Sequence, residues 1–383
     1  MNIAFDAKRI YQNRTGLGNY SRTLVNSLSQ YFPEHSYFLC TPKITSLFNE
    51  SAFHNIHTIT PNDFPSKYLK GLWRSSLIKK DLINANIDIY HGLSHEIPFG
   101  IQHTKIKSVV TIHDLIFERY PNQYNAIDVF IYRRKFINAC KNADRIIAIS
   151  EQTKKDIVEF YKIDEKKITI CYQSCHASFY KEVDNDDKKR IKEKYNLPNN
   201  FFLFVGSVIE RKNLLSICKA IKLLSAENSF PLVVIGDGKE YLHSIKEYLA
   251  ANQLSNRVIF LSENKSTGNK SDYLSIKDFP AIYQLATALI YPSIFEGFGI
   301  PILEALASKT PVITSNISCM PEVGGNAAYY VNPFNPEEIA NAMTALLQNT
   351  TMVTQMKTEG AIQANKFNAL NCANGVMDVY KSL

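Results

Sequence analysis

Glu296 and Glu304 flank a glycine turn at residues 297–299. The apolar run 286–291 before them predicts a buried parallel strand, and Pro301 suits the first turn of a helix. Glycines let the backbone approach a ligand closely, and the free N–H groups at a helix start bind phosphate or other electron-rich oxygen. Two carboxylates there can accept hydrogen bonds from the hydroxyls of one polar ligand. The pattern predicts a ligand site, whereas for Glu304 alone a favourable interaction with the helix dipole is the simpler explanation.

Two adjacent cations, Arg211 and Lys212, follow the apolar run 201–205, which predicts another strand. Ligand-binding residues of parallel sheets gather at the carboxyl ends of the strands. A diphosphate needs charge neutralisation, for which Arg offers a planar fork and Lys a compact point charge. The pair therefore predicts a diphosphate site, and a solvated basic pair on a loop is the alternative.

These motifs resemble those of the retaining glycosyltransferases of the GT-B fold, in which two glutamates separated by seven residues mark the nucleotide-sugar site. The resemblance covers nearly the whole chain. It implies an α/β fold with two Rossmann-like domains facing a central cleft. It also implies a family 4-like bacterial polysaccharide mannosyltransferase type of enzyme. The expected reaction moves a hexosyl group, with mannose as the first candidate, from a nucleotide diphosphate sugar to a glycan or lipid-linked glycan, without a metal or other cofactor.

The resemblance also assigns roles to individual residues. Glu296 would position the donor sugar as a catalytic residue, and Glu304 would bind the nucleotide ribose. Arg211 and Lys212 would bind the donor phosphates. The remaining residues expected to bind the donor are Gly16, Gly18, Gly297, Phe298, Gly299 and Ile300. The base is not readable from the sequence, because the segment 262–273, which resembles the family's base-binding loop, is unusually long and polar.

Two histidines near strand ends complete the candidate site. His113, in the motif 111–115, can bond a sugar hydroxyl or the transferring oxygen through either ring nitrogen. The resemblance places a catalytic histidine there, beside the sugar, although a packed polar residue is the alternative. His91 closes the preceding strand, and we expect it on the acceptor side.

Short apolar strands alternate with helical patterns, which predicts parallel sheets with helices on both faces. Two such sets are visible. The expected strands are Ile3–Phe5, Tyr37–Leu39, Ile87–Tyr90, Ser108–Ile112 and Arg145–Ile149 in the first set, and Phe201–Val205, Leu232–Ile235, Arg257–Leu261, Ala288–Tyr291 and Pro311–Thr314 in the second. We expect an acceptor-binding domain at 1–180, a nucleotide-sugar domain at 190–366, and a C-terminal helix at 367–383 that packs back on the first. The charged stretch from Asp184 is expected to begin a solvated helix.

Composition excludes several other classes of protein. The chain has 383 residues, of which 45% are hydrophobic and 21% charged, as in a globular enzyme of two domains. We expect a cytoplasmic protein, because neither a long apolar run nor a signal peptide is visible. Seven scattered cysteines suit reduced thiols, and the cluster 171–176 lacks a partner cluster for zinc. Nucleic acid is not an expected partner, because the basic residues are dispersed.

The segment 67–80 combines basic residues with Trp73, the single tryptophan, and the net charge is +7. Such a segment can dock on an anionic membrane, which makes a peripheral location at the inner membrane face an option. The alternative is a surface helix with Trp73 and Leu77 packed inward. Two rival functions also stay open: a nucleotide-sugar epimerase, which needs no acceptor, and a sugar-binding protein without catalysis.

Overall fold

The computed structural model describes residues 1–62, 66–225, 230–263 and 277–383. The chain divides into two compact units. Unit 1 comprises Met1–Ser174 and Phe367–Leu383, and unit 2 comprises Cys175–Lys366. Each unit has its own parallel sheet and its own hydrophobic core.

Unit 1 is built on a sheet that has seven strands in the described residues, in the order β3-β2-β1-β4-β5-β6-β7, all parallel. The strands are β1 Asn2–Asp6, β2 Ser36–Cys40, β3 Ile56–Ile59, β4 Ile89–Gly92, β5 Lys107–Ile112, β6 Arg145–Ala148 and β7 Ile168–Ile170. The helices are α1 Lys8–Gln12, α2 Gly16–Tyr31, α3 Lys70–Leu72, α4 Ile78–Asn84, α5 Ile116–Arg119, α6 Ala126–Asn142 and α7 Glu151–Tyr161, with a π-helical turn at Trp73–Leu77. Apolar side chains on both faces of the sheet form two core clusters.

Unit 2 repeats the architecture with six described strands in the order β10-β9-β8-β11-β12-β13, again parallel. They are β8 Phe202–Val205, β9 Leu232–Ile235, β10 Val258–Phe260, β11 Ala288–Tyr291, β12 Val312–Ser315 and β13 Ala328–Val331. The helices are α8 Asn185–Tyr195, α9 Leu214–Leu223, α10 Glu240–Ala251, α11 Phe279–Leu285, α12 Ile300–Ala307, α13 Met320–Gly324, α14 Pro336–Gln348 and α15 Thr350–Lys366. The charged stretch does begin a helix: the Asp184 side chain accepts from the N–H of Asp187 and caps α8.

All ten strands expected from the sequence are present, and three further strands were missed. These are β3, β7 and β13, each of which lies at an edge of its sheet. Their burial patterns mix buried and partly exposed positions, whereas β8, β9, β11 and β12 are buried at every residue. Edge strands have one unpaired side and need no continuous apolar run, so their sequence signal is weaker.

The C-terminal helix, α16 Ala369–Lys381, belongs to unit 1. It packs against α2, and its apolar face, with Val376, Met377 and Tyr380, enters the core cluster on that side of the sheet. The last helix and the first strand and helices of the chain therefore contribute to the same core cluster. Within the described residues, no helix combines the length and the apolar character that crossing a bilayer requires.

For the segment 67–80, the structure supports the inward-packed interpretation at the tryptophan. Trp73 is fully buried in the unit 1 core, and its ring N–H donates to Asp81 Oδ2 at 2.6 Å. Leu77 packs against the same cluster. Trp73 is therefore not placed to enter a lipid surface, because leaving this site would break both its packing and its hydrogen bond.

Candidate functional site

The candidate donor residues of unit 2 lie where the strand order of its sheet reverses. Arg211 and Lys212 follow β8, and Glu296 follows β11; the two strands are paired, with Leu203 opposite Leu289. Connections leave neighbouring strands in opposite directions at such a point, which opens a crevice beyond the carboxyl ends of the strands. This topology explains how residues 84 positions apart in the sequence reach one another.

Glu296 is the centre of a buried charged cluster. Its Oε1 lies 2.8 Å from Arg211 Nη1 and 3.0 Å from Lys212 Nζ, and it accepts a bond of 2.9 Å from the Ser293 hydroxyl. Lys212 Nζ also donates to the Tyr291 hydroxyl at 2.5 Å and lies 4.9 Å above the centre of that ring. These contacts of the carboxylate all fall on Oε1, so within the described part of the chain Oε2 is left for a ligand hydroxyl.

The cluster fixes the charge states of its members. Burial alone would raise the pKa of Glu296, but Lys212 and Arg211 reverse that effect and lower the pKa to about 2. Burial lowers the pKa of Lys212, and Arg211 lowers it further, while Glu296 opposes both. Two cations and one carboxylate leave one net positive charge, which suits an anionic ligand.

Glycines and an asparagine hold this cationic turn in place. Gly206 has φ 146°, and a Cβ there would lie 2.8 Å from Lys212 Cδ. A Cβ on Gly236 would lie 1.9 Å from the carbonyl oxygen of Gly206, so the 236–238 turn supports the turn after β8. Asn213 takes the left-handed conformation and donates to the carbonyls of Pro292 and Pro333 at 3.2 and 2.6 Å. The turn at 236–238 therefore packs closely against the turn that carries the two cations.

The glycine turn expected from the sequence runs directly into α12. Gly299 is the residue before the helix and has φ 92°, a conformation that favours glycine. Gly297, Phe298 and Gly299 are buried, and Ile300 is half-buried. Ile300 begins the helix, so its N–H has no partner within the helix and points along the positive end of the helix dipole.

Glu304 lies further along α12 and has a different environment from Glu296. Its Oε2 accepts a hydrogen bond of 2.7 Å from the hydroxyl of Tyr283, which is fully buried. Burial raises the pKa of Glu304 to about 7, and the Tyr283 bond offsets part of that rise. The two glutamates therefore differ in protonation at neutral pH, because only Glu296 has cations beside it.

In unit 1, His113 lies directly after β5 and is almost fully buried. Its Nε2 lies 2.9 Å from the carbonyl oxygen of Leu93. A carbonyl only accepts, so Nε2 carries the proton in this contact and Nδ1 is the acceptor of the neutral ring. Burial lowers the pKa of His113 to about 4, against a smaller opposing effect of the Leu93 bond. The ring of Tyr20 stands edge-on to it, with centroids 4.6 Å apart.

His91 was expected to face the acceptor, but the structure buries it. It is 0% exposed, and both ring nitrogens have protein partners: Nδ1 lies 2.6 Å from the Tyr380 hydroxyl and Nε2 lies 2.8 Å from Thr111 Oγ1. Burial lowers its pKa to about 3. The prediction of direct acceptor contact by His91 is therefore wrong, since the residue sits inside the strand pair of β4 and β5 and has no free face.

The two glycines after β1, Gly16 and Gly18, differ in burial and in packing. Gly16 is exposed and begins α2, and a Cβ there would meet nothing within 4 Å. Gly18 is buried, its N–H donates to Asn13 Oδ1 at 3.1 Å, and a Cβ would lie 2.0 Å from the Asn13 carbonyl oxygen. Gly18 thus serves close backbone packing, and its N–H is already used. For Gly16, the expected role as a backbone donor to the ligand stays a prediction.

Sequence reasoning missed several partners of the candidate site. Ser293 lies three residues before Glu296, a spacing that gives a loop hydroxyl access to the carboxylate. Ser318 bonds both the N–H and the carbonyl of Glu296, at 3.3 and 3.1 Å. Tyr283 and Tyr291 gave no sequence signal, because an aromatic residue at the end of a helix or strand is typical of a core position. The predicted base-binding segment lies mostly outside the described residues, since only 262 and 263 of it are described.

All seven cysteines, Cys171 and Cys175 among them, are buried and are not joined in disulfides. In the ranges that the structure describes, no three His, Cys, Asp or Glu side chains are grouped to hold a metal ion.

Comparison with known proteins gives a family to each half of the chain. Residues 185–363 match the model "Glycosyl transferases group 1", and residues 14–175 match "Glycosyltransferase Family 4". The chain is 32% identical over 239 residues to the O-antigen chain mannosyltransferase RfbU of Salmonella typhimurium, covering 62% of this chain and 60% of the relative. It is 26% identical over 299 residues to O-antigen chain mannosyltransferase B of Escherichia coli, covering 77% and 74%. The chain thus spans less than two thirds of the length of RfbU.

Solved structures share the fold over the full length of the chain. A glycosyltransferase from Rickettsia africae has a TM-score of 0.75 at 21% identity, covering 100% of this chain and 98% of that one. HepE from Anabaena in complex with UDP and glucose has a TM-score of 0.73 at 16% identity, covering 100% of both chains. These likenesses and the two parallel sheets define a GT-B fold. The chain belongs to the glycosyltransferases, with a family 4 region at residues 14–175 followed by a group 1 region at residues 185–363.

Proposed function

We propose that this protein is a retaining glycosyltransferase of polysaccharide biosynthesis. It moves a hexosyl group, with mannose as the first candidate, from a nucleotide diphosphate sugar to a hydroxyl of a glycan or lipid-linked glycan. The observation that carries the proposal is the buried cluster of Glu296 with Arg211 and Lys212 at the reversal point of the unit 2 sheet. No metal takes part in the proposed reaction, because these cations and helix amides supply the neutralising charge.

The charges of the cluster match the charge that develops during glycosyl transfer. As the bond between sugar and phosphate breaks, negative charge grows on the diphosphate and positive charge on the sugar. Arg211, Lys212 and the start of α12 at Ile300 can stabilise the former, and the ionised Glu296 can stabilise the latter. Groups fixed before the reaction bind the transition state more strongly than the ground state, which lowers the barrier.

The acceptor hydroxyl needs a place for its proton, and we assign that role to the leaving phosphate oxygen. No enzymic nucleophile is then needed, and the acceptor attacks from the face that the phosphate leaves, so the anomeric configuration is retained. Glu296 Oε2 accepts from a donor sugar hydroxyl, and Glu304 accepts from the ribose. His113 is assigned to the transferring sugar, where the unprotonated Nδ1 accepts a hydroxyl proton in a hydrogen bond.

Similar proteins support the proposed donor and product. RfbU and mannosyltransferase B are both named as O-antigen mannosyltransferases, which favours mannose and a polysaccharide product. HepE shares the fold and was solved with UDP and glucose, which favours a nucleotide diphosphate sugar as donor. The alternative function, a nucleotide-sugar epimerase, would convert its donor without an acceptor. The two relatives are named as transferases, which favours transfer over epimerisation.

The decisive experiment incubates the protein with guanine, uridine and adenine nucleotide sugars, with and without lipid-linked glycans, and measures nucleotide release. Release that depends on an acceptor supports transfer, and NMR of the product reports whether the anomeric configuration is retained. Donor conversion without an acceptor would instead indicate an epimerase, and binding without turnover a sugar-binding protein. An inverted product would overturn the assignment of the proton to the leaving phosphate.

The variant Lys212→Met tests the cluster directly. Loss of one such donor costs about 10²-fold in kcat for comparable sites. Lys219→Met is the matched control, because Lys219 is an exposed lysine of α9 in the same unit. Equal kcat values for Lys212→Met and Lys219→Met would show that the cluster does not contribute to catalysis.

A further inference from the structure

His95, which follows β4, has a left-handed backbone conformation. Its φ is 67°, in a region that residues other than glycine seldom adopt. The turn that holds it is tight, because a Cβ on Gly92 would lie 1.9 Å from the carbonyl oxygen of Glu96. The N–H of His95 donates to the carbonyl of Thr111 on β5 at 2.9 Å. Backbone strain of this kind clusters at functional sites, so the side chain of His95 is a candidate for a role in binding.

The left-handed residues of the described chain, other than glycines, fall into two groups. One group follows the ends of helices, where such a residue commonly closes the last turn; its members are Asn86, Lys162, Asn196, Gln253 and Lys309. The other group is His95, Asn213 and Ser318. Asn213 holds the cationic turn of unit 2, and Ser318 bonds the backbone of Glu296. His95 therefore shares its conformation with residues that shape the donor site.

The ring of His95 is held between two aromatic neighbours. It stacks on Phe136 of α6, with ring centroids 4.3 Å apart and planes inclined by 11°. The ring of His113 stands edge-on to it, with centroids 5.2 Å apart. Nδ1 of His95 also accepts from the backbone N–H of His113 at 3.4 Å. These contacts fix the orientation of the imidazole.

The same contacts decide which nitrogen of His95 carries the proton. A backbone N–H only donates, so Nδ1 is unprotonated and the neutral ring carries its hydrogen on Nε2. Burial lowers the pKa of His95 well below its usual range, and His113 and Arg9 lower it further, so the ring is neutral at physiological pH. No described residue accepts from Nε2, and this nitrogen is not sealed from solvent. His95 thus presents a fixed hydrogen-bond donor.

We propose that His95 and His113 together hold two hydroxyls of the transferring sugar. His113 has the complementary arrangement, because its Nε2 donates to Leu93 and its Nδ1 is left to accept. One ring therefore offers a donor, and the ring beside it offers an acceptor. A hydroxyl can satisfy either nitrogen, whereas a phosphate oxygen only accepts and would leave Nδ1 of His113 unpaired.

This arrangement makes His95 a specificity-determining residue, and the inference rests on the proposed function. A site built to bond a hydroxyl discriminates against a sugar that lacks it, because a polar group of the protein is then left unpaired. The alternative is that the ring of His95 only fills space against Phe136. A packing role would change the stability of unit 1, but it would not distinguish one sugar hydroxyl from another.

The test measures by calorimetry the affinity of the full chain for GDP-mannose and UDP-glucose, and for analogues of each that lack one sugar hydroxyl. The variants are His95→Asn and His95→Gly, because asparagine and glycine tolerate the left-handed turn and remove the ring. His57→Asn is the matched control, since His57 is exposed in the same unit and its ring also contacts a phenylalanine, Phe38, at 5.1 Å between centroids. Thermal unfolding checks that each variant is folded.

The His95 variants should bind the donor about 3–10-fold more weakly than the parent, as the loss of one hydrogen bond predicts, while His57→Asn binds like the parent. One deoxy analogue should show the same loss with the parent and should bind the parent and the His95 variants equally. Variants that bind the donor like the parent overturn the inference alone. So do variants in which every analogue loses the same factor as in the parent. A parent chain that binds neither donor overturns the inference together with the proposed function.

Discussion

The hydroxyl of Tyr380 lies 2.6 Å from Nδ1 of His91, although the two residues are 289 positions apart. This bond joins α16, at the end of the chain, to β4 in the middle of the unit 1 sheet. It continues through Thr111 to the hydroxyl of Tyr20, whose ring contacts His113. The C-terminal helix is thereby connected, through buried polar groups, to the histidine that we assign to the sugar.

Tyr380→Phe should lower the free energy of unfolding by about 1–3 kcal/mol, because it leaves His91 with an unsatisfied buried nitrogen. The measurement is urea unfolding at neutral pH. Tyr31→Phe on α2, where the tyrosine is exposed, is the control and should be neutral. If the connection also positions His113, Tyr380→Phe lowers kcat while KM for the donor stays the same. A variant with the stability and the kcat of the parent would show that the chain of bonds has no such role.

Glu296 should make the stability of unit 2 depend on acid pH. Its pKa is lowered from 4.5 to about 2 in the folded protein, so its stabilisation is complete above about pH 4.5 and is lost as the pH falls towards 2. The difference in free energy of unfolding between the parent and Glu296→Gln should therefore shrink by about 3 kcal/mol between pH 6 and pH 2. Chemical denaturation across this range measures it.

Glu337→Gln is the control for that series, because Glu337 is an exposed carboxylate of α14 in the same unit. It replaces a carboxylate by an amide without touching the cluster. A constant difference between the parent and Glu296→Gln would mean that Arg211 and Lys212 do not hold the carboxylate as described. At neutral pH we expect Glu296→Gln to fold and to lose transfer activity.

The contribution of Glu304 to the free energy of unfolding should depend on pH in the opposite direction to that of Glu296. Its pKa is raised from 4.5 to about 7, so its contribution to stability is greatest below about pH 4.5 and is lost as the pH rises through 7. If the ionised form binds the ribose hydroxyls, affinity for a nucleotide sugar rises between pH 6 and pH 8. Calorimetry with the donor measures this affinity, and Glu304→Gln should bind with a flat profile. Identical profiles for both proteins would exclude Glu304 from the titration.

Gly206→Ala should disturb Lys212 without touching any charge. An added Cβ would lie 2.8 Å from Lys212 Cδ, and φ 146° is unfavourable for alanine, so the lysine side chain must shift from its present position. We expect a loss of donor affinity and of kcat/KM of about tenfold or more. Gly71→Ala is the control, since a Cβ there meets nothing within 4 Å and φ is not positive. Unchanged kinetics in Gly206→Ala would show that the lysine tolerates displacement.

Much of the molecule follows from local patterns. Fully buried central strands such as β8 and β11 are continuous apolar runs, and parallel strands separated by helices leave few topologies. Ligand residues after such strands meet at one edge of the sheet, and the resemblance to the glycosyltransferases placed Arg211, Lys212 and Glu296 in one donor site. The edge strands β3 and β7 could not be found in this way, because polar residues interrupt their apolar runs, whereas β13 reads Ala-Tyr-Tyr-Val and was missed although it is such a run.

The sequence alone determined the α/β class, the two sheets, the cationic pair and the carboxylates, because each of these depends on residue type and on spacing along a few turns of chain. The tertiary structure decided which side chains are free to act. It buried His91 between two partners, used the N–H of Gly18 for packing, turned Trp73 inward and left Ile127 and Phe130 uncovered. These outcomes depend on contacts between residues far apart in sequence, where packing and desolvation, not local preference, set the free energy.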